Sequence, residues 1–180
     1  QRGPLSMTDE SPAQPNTLAA YTVVMLQHDG RYLLLRRAES KRFAPGRWTG
    51  IGGKVERDEL GDLQAAALRE LAEESGIAAH DVSHFVLRRA LLLARPGGSL
   101  TLLLYYTGTL VALVLPPCPE GTLAWVTPEE LPGLDVIEST RPVLPLLVED
   151  LARDPLGLER VRLGLADYRD DGTFAREVWL

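Results

Sequence analysis

"GGKVERDELGDLQAAALRELAEESGI", residues 52–77, is a glycine-rich loop that runs into a densely charged segment. Asp62 carries the short acceptor side chain that caps a helix start. Gly76 stands where a left-handed C-terminal cap is wanted, so the spacing predicts a helix over 63–75. At ~100° per residue, Glu73 lies about −60° and Glu74 about +40° from Glu70, which puts three carboxylates on one face. Leu68, Leu71 and Ala72 fall on another side and are expected to pack on a sheet. Like charges at these spacings cost a few tenths of a kcal/mol per pair, and near the C-terminal end they also oppose the helix dipole. A cation over the face would reverse that cost. Hard divalent ions such as Mg²⁺ or Mn²⁺ take oxygen ligands, which these glutamates supply. The alternative is a solvated acidic face. Arg69 can pair with Glu73 one turn on, or hold another carboxylate in place.

Outward from this segment, "YTVVMLQHDGRYLLLRR" gives two apolar runs around Asp29-Gly30, the signature of a tight β-hairpin. "FAPGRWTGIGGKV" reads as a glycine-rich loop with short extended pieces. "HFVLRRALLLA" and "LTLLLYY" flank "RPGGS" as a second hairpin, and Asp171-Gly172 marks a third. "GTLAWVTPEELPGL" reads as a strand followed by a helical turn at 128–131, begun by Pro128. Residues 139–152 are expected to form an amphipathic helix around Leu144, Leu147 and Leu151. Strands, a charged helix, more strands and a late helix predict a mixed α+β domain, an α/β/α sandwich around one sheet.

The 180 residues suit a single domain, and a hydrophobic share of 45% is enough for a real core. Residues 1–6, before Met7, read as a cloning remnant, 7–17 as a flexible polar tail and 18–180 as the domain. A net charge of −6 argues against general binding to duplex nucleic acid. It leaves room for a small anionic ligand held through a metal. Cys118 is the only cysteine, so no internal disulfide can form, and a reducing, cytoplasmic setting is the simplest expectation. The most apolar window, 100–117, contains threonines, a glycine and β-favouring Tyr and Val. It reads as buried strand and not as a membrane span.

Residues 53–77 resemble the Nudix box, the motif of the Nudix hydrolases: Gly, five residues, Glu, seven residues, then Arg-Glu-apolar-any-Glu-Glu-any-Gly-apolar. Gly53 and Glu59 have the first spacing. Arg69, Glu70, Leu71, Glu73, Glu74, Gly76 and Ile77 match the second half at every specified position. Nine residues separate Glu59 from Arg69, two more than in the family pattern, and the extra pair falls in "DELGDLQ". Leu60-Gly61 breaks helical continuity, so these residues are expected to lengthen the loop before the helix.

The resemblance implies a mixed sheet between helices and hydrolysis of compounds with a nucleoside diphosphate linkage, using Mg²⁺ or Mn²⁺. By position, it implies Glu70, Glu73, Glu74 and the carbonyl of Gly52 as metal ligands. Glu59 would support the metal–water network and Arg69 would orient a glutamate. One box glutamate, or a carboxylate from another loop, would be the base. The approach "FAPGRWTGIGGKVE" resembles that of MutT-like members, which act on oxidised purine nucleoside triphosphates. That implies Phe43 and Trp48 beside the substrate, with Arg47, Gly53 and Lys54 near the phosphates. Thr49 stands where several such members have Asn, and Ser139-Thr140 where one branch has an acidic pair. Glu120 is the nearest candidate for an additional ligand or base. Alternative substrates are ADP-ribose, dinucleoside polyphosphates and nucleotide sugars. A catalytically silent nucleotide-binding module is the alternative of another class. The expected partner is a small nucleotide, and the expected assembly a monomer or homodimer.

Overall fold

The computed structural model describes residues 17–95, 97–111, 115–169 and 173–180. The remnant and all of the tail before Thr17 lie outside them, as does the turn at Asp171-Gly172. The described chain forms β1 (Leu18–His28), β2 (Arg31–Arg37), β3 (Trp48–Thr49), α1 (Leu63–Ser75), β4 (Val82–Ala94), β5 (Leu100–Leu110), β6 (Gly121–Val126), α2 (Val143–Arg153), β7 (Arg162–Tyr168) and β8 (Phe174–Trp179). One mixed sheet runs β3-β2-β1-β5-β4-β7-β8, with β6 on β2. This is the expected α/β/α sandwich.

The first hairpin forms where Asp29-Gly30 marked it, with φ values of 45° and 74°. Its strands pair only from His28↔Arg31 to Leu26↔Leu33 and then separate. Residues 48–54 fill the fork. Trp48 and Thr49 pair with Arg36 and Leu35, while Ile51 and Lys54 bridge to Val24 and Tyr21. The glycine-rich loop is thereby fixed at the middle of the sheet.

Alternation along β1 sorts the core into two layers. Val24 and Leu26 join Ala66, Ala67 and Leu71 of α1 on one face. Val23 and Met25 join Val143, Leu144 and Leu147 of α2 on the other. β5 lies between β1 and β4 with both faces covered at its middle, which is why 100–117 reads as nearly continuous apolar sequence. Among the described residues no helix is long and apolar enough to cross a membrane.

Two expectations shift. The late helix starts at Val143, not 139. Pro142 disfavours helical backbone at Arg141, and the Ser139 carbonyl accepts from the buried Tyr105 hydroxyl at 2.8 Å. The short helical turn forms at Leu131–Gly133, just after the Pro128 segment.

Candidate active site

α1 occupies the predicted residues. Asp62 accepts from the Ala65 amide at 2.9 Å, and Gly76 closes the helix at φ 74° with its amide on the Ala72 carbonyl. Residues 57–59 form a 3-10 turn, and Leu60-Gly61 form a turn before the cap.

The helix buries Ala66, Ala67, Leu71 and Ser75. On the wheel these lie at about −40°, +60°, +100° and +140° from Glu70, so the buried arc centres near +65°. The expected apolar side was therefore placed slightly off, and Ala72 is exposed. The same geometry divides the three glutamates. Glu74, at about +40°, points almost straight at the sheet; Glu70 lies on the arc; Glu73, at about −60°, points to solvent.

The contacts follow that division. Glu74 accepts from the Gly52 amide at 3.1 Å. Burial pushes its carboxyl up to about 7, and nearby Glu120 and Glu70 add to the shift. The Glu70 carboxylate is raised as well, by burial, although Arg69 opposes this. It lies over Gly53 so closely that a Cβ there would come 2.2 Å from Glu70 Oε2. Glu73 is 60% exposed and turned to Arg69 Nη1 at 2.7 Å. Of the three carboxylates expected to converge, Glu70 and Glu74 lie close enough to influence one another, with Glu120 nearby, while Glu73 is turned to Arg69.

Arg69 organises the rest. Its Nε and Nη2 donate to Glu59 at 2.5 and 2.9 Å. Nη2 also reaches Glu70 at 2.9 Å and the Lys54 carbonyl at 3.2 Å. Hydrogen bonds from Arg69 and from the Glu56 amide hold the Glu59 carboxyl down to about 2. Glu59 thus keeps its place beside the helix despite the longer loop, as the partner of Arg69.

The residues placed near substrate separate. Gly52 and Phe43 line a cleft of about 500 Å³, together with Thr49, Arg95, Ser139 and Thr140. Phe43 is exposed, and the Arg37 guanidinium lies 5.8 Å from its ring centre. Arg47 is committed elsewhere: it donates to Asp135 at 3.2 Å, Glu138 at 3.0 Å and the Val136 carbonyl at 2.7 Å. Trp48 packs against the α2-side core. The Lys54 side chain is exposed. Sequence reading missed Arg37, whose charge opposes the rise at Glu74, and Lys41, which ion-pairs with Glu120. Nothing in their local sequence set them apart from other exposed cations.

Among the described residues no three His, Cys, Asp or Glu side chains gather into a ready-made metal cage. Arg69 draws Glu59, Glu70 and Glu73 towards itself. The donor chemistry nonetheless suits a hard divalent ion. Among the described residues Glu74 is a partly desolvated carboxylate with no ion pair of its own, and Glu70 beside it is desolvated and shares Arg69 with Glu59 and Glu73, so a cation would add compensation to both. The carbonyls of Ile51 and Gly53 are taken by the amides of Val24 and Thr22. The carbonyl of Gly52 alternates away from them.

The pattern of the NUDIX domain family matches residues 16–147. The nucleoside triphosphatase NudI of Salmonella newport is 31% identical over 130 residues, 68% of this chain and 91% of that protein. A mouse protein named oxidized purine nucleoside triphosphate hydrolase is 39% identical over 72 residues, 38% of this chain and 44% of its own length. The crystal structure of a MutT protein from Bacillus halodurans superposes with a TM-score of 0.67 at 21% identity, covering 89% of this chain and 97% of that one. This last likeness shows the fold. A sheet held between two helices, with the box on the first, defines a hydrolase scaffold. The chain belongs to the Nudix family of hydrolases. Enzymes of this family generally use divalent metal ions.

Gly53→Ala gives a direct check on Glu70. The added methyl must displace the Glu70 carboxylate, a movable side-chain end, so the fold should tolerate it. We expect activity to fall at least tenfold while the melting temperature changes by no more than a few degrees. Steady-state kinetics and a thermal melt on the same preparation read both.

Proposed function

We propose that this chain is a metal-dependent pyrophosphohydrolase of nucleoside triphosphates, oxidised purine forms included. The observation that carries this reading is the meeting of two features at Gly52. Its amide holds the half-buried carboxylate of Glu74, and the same residue lines the 500 Å³ cleft. A nucleoside in the cleft would present its phosphate chain to Glu70 and Glu74. Thr49, Ser139 and Thr140 form a nearly buried polar wall of the cleft, and the exposed ring of Phe43 is available to the ring face of the base. The names of the Salmonella and mouse relatives support triphosphates as the substrate class.

Glu70, Glu74 and the Gly52 carbonyl would hold Mg²⁺ or Mn²⁺, with Glu73 one turn away and Glu120 as the carboxylate from outside the box. The bound ion would neutralise phosphate oxygens and lower the pKa of a water. Arg69 and Glu59 keep the carboxylates in place, so the loop and helix present a pre-set arrangement. The glycines let the backbone approach the phosphates.

The test is a panel of canonical and oxidised (d)NTPs, ADP-ribose, dinucleoside polyphosphates and nucleotide sugars, with product analysis. We expect triphosphates to be cleaved to monophosphate and pyrophosphate in Mg²⁺, and turnover to vanish in excess EDTA. Full activity in EDTA would sink the metal site. A strong preference for any of the non-triphosphates would sink the substrate assignment.

A further inference from the structure

The family match ends at residue 147, before β7 and β8. These two strands extend the sheet past β4, β7 pairing parallel to β4 and β8 antiparallel to β7. Paired residues in neighbouring strands share a sheet face. The registers therefore define rows across the α1 side: Ala20–Leu102–Leu92–Leu165–Val178, and beside it Leu104–Ala90–Leu163. Leu180 follows β8 and donates its amide to the Leu163 carbonyl.

α1 covers only part of this face. Ala20 and Leu104 belong to its core layer and are at most 9% exposed. On the appended strands Leu163 and Leu165 are 43% exposed, Val178 48% and Leu180 73%. Their opposite faces are covered: Ala166, Tyr168 and Trp179 pack on the α2 side. The hairpin is therefore apolar on both faces, and among the described residues a helix covers only one of them.

We propose that this bare half-sheet is a homodimer interface, packed face to face against the same strands of a second copy. Two features favour a copy of this chain over another occupant. Asp167 and Arg176 sit side by side on this face, 3.8 Å apart and both exposed, at the edge of the apolar row. A two-fold axis would bring Asp167 of each copy to Arg176 of the other, so the patch complements itself in charge as well as in apolarity. The chain's own residues 1–16, which lead into β1 near Leu100, are a poor cover, because "QRGPLSMTDESPAQPN" has only Leu5 and Met7 as large apolar side chains. The four exposed side chains leave on the order of 350 Å² of apolar surface in water, within the range of the largest contiguous patch on a monomer, where such patches are often functional. With the half-buried Leu92, Leu100 and Leu102 and the polar rim, the face approaches the ~800 Å² per partner of a specific interface. Sheets pack in this way about 10 Å apart, side chains interdigitating.

Sedimentation velocity of the full chain across a micromolar concentration series tests the proposal. The wild type should sediment as a dimer in slow or fast exchange with monomer. Leu165→Lys and Val178→Lys, changed at exposed positions, should be monomeric with unaltered far-UV circular dichroism. Asp167→Arg, a solvent-exposed change that leaves the core alone, should weaken dimerisation at least tenfold. A wild type that stays monomeric at 100 µM would overturn the proposal, as would a dimer indifferent to all three changes.

Discussion

Glu74→Gln is expected to reduce turnover by about a thousandfold, the scale of losing a preorganised group in the reacting centre, and to leave the protein as stable or slightly more so. The two effects have one cause. Glu74 is a carboxylate on the sheet-facing arc of α1, where burial and two neighbouring glutamates outweigh one backbone donor and the charge of Arg37. A neutral amide can still accept from the Gly52 amide, and it removes the burden of a poorly compensated, partly desolvated charge. What it loses is the anionic oxygen a divalent ion requires. Glu73→Gln is the internal comparison. Glu73 is exposed and its contact is with Arg69, so the effect should be the smaller by at least tenfold and should come through the order of Glu59 and Glu70. Kinetics in saturating Mg²⁺ with paired thermal melts check both. Equal losses in the two variants would mean that Glu73 swings into the site, and the division of glutamates proposed for α1 would be wrong. Full activity in Glu74→Gln would remove this carboxylate from the mechanism.

What sequence could foresee was governed by local signals. Asp62 and Gly76 bracket α1 because capping is decided within a few residues, and Asp29-Gly30 sets its turn for the same reason. The unequal roles of the three glutamates depend on which arc of the helix meets the sheet. Leu68, Leu71 and Ala72 suggested an arc rotated away from the true one, because small Ala66, Ala67 and Ser75, weak markers of burial, are what allow close approach. Arg47 illustrates the opposite failure. As a cation beside a glycine loop it suggested phosphate, yet its partners Asp135 and Glu138 arrive from 88 and 91 residues further on. Glu120 and Lys41 become part of the site's electrostatics only once β6 pairs with β2. Non-local pairing of this kind leaves no mark in a local window.

Asp150→Ala is expected to destabilise the protein by about 3–5 kcal/mol, the range for stranding one member of a buried ion pair. For a chain of this size that is a fall in melting temperature of roughly 6–20 °C. Asp150, on α2, accepts from Arg89 Nε at 2.6 Å and Nη2 at 2.8 Å. Arg89, on β4, is 2% exposed, and its guanidinium lies over the Trp179 ring at 4.8 Å. The pair ties the late helix to a central strand and to the appended hairpin, and a bulge between Leu87 and Arg89 accompanies the buried arginine. Without Asp150 the guanidinium keeps its desolvation and the ring contact but loses both charge-assisted hydrogen bonds. Arg153, which also reaches Asp150 at 2.8 Å, is 42% exposed and bonded to Glu159 as well. It cannot follow the buried charge inward, so Arg153→Ala should cost less than about 1 kcal/mol, as partly solvated pairs do. The contrast makes the mechanism testable by a double change. If the cost is a stranded charge and not lost packing, Arg89→Met with Asp150→Leu should recover most of the stability that Asp150→Ala loses. Chemical denaturation with a constant m-value across the series would measure it. A double variant no more stable than Asp150→Ala alone would show that the bidentate pair holds α2 on the sheet in a way that apolar side chains of similar size do not replace.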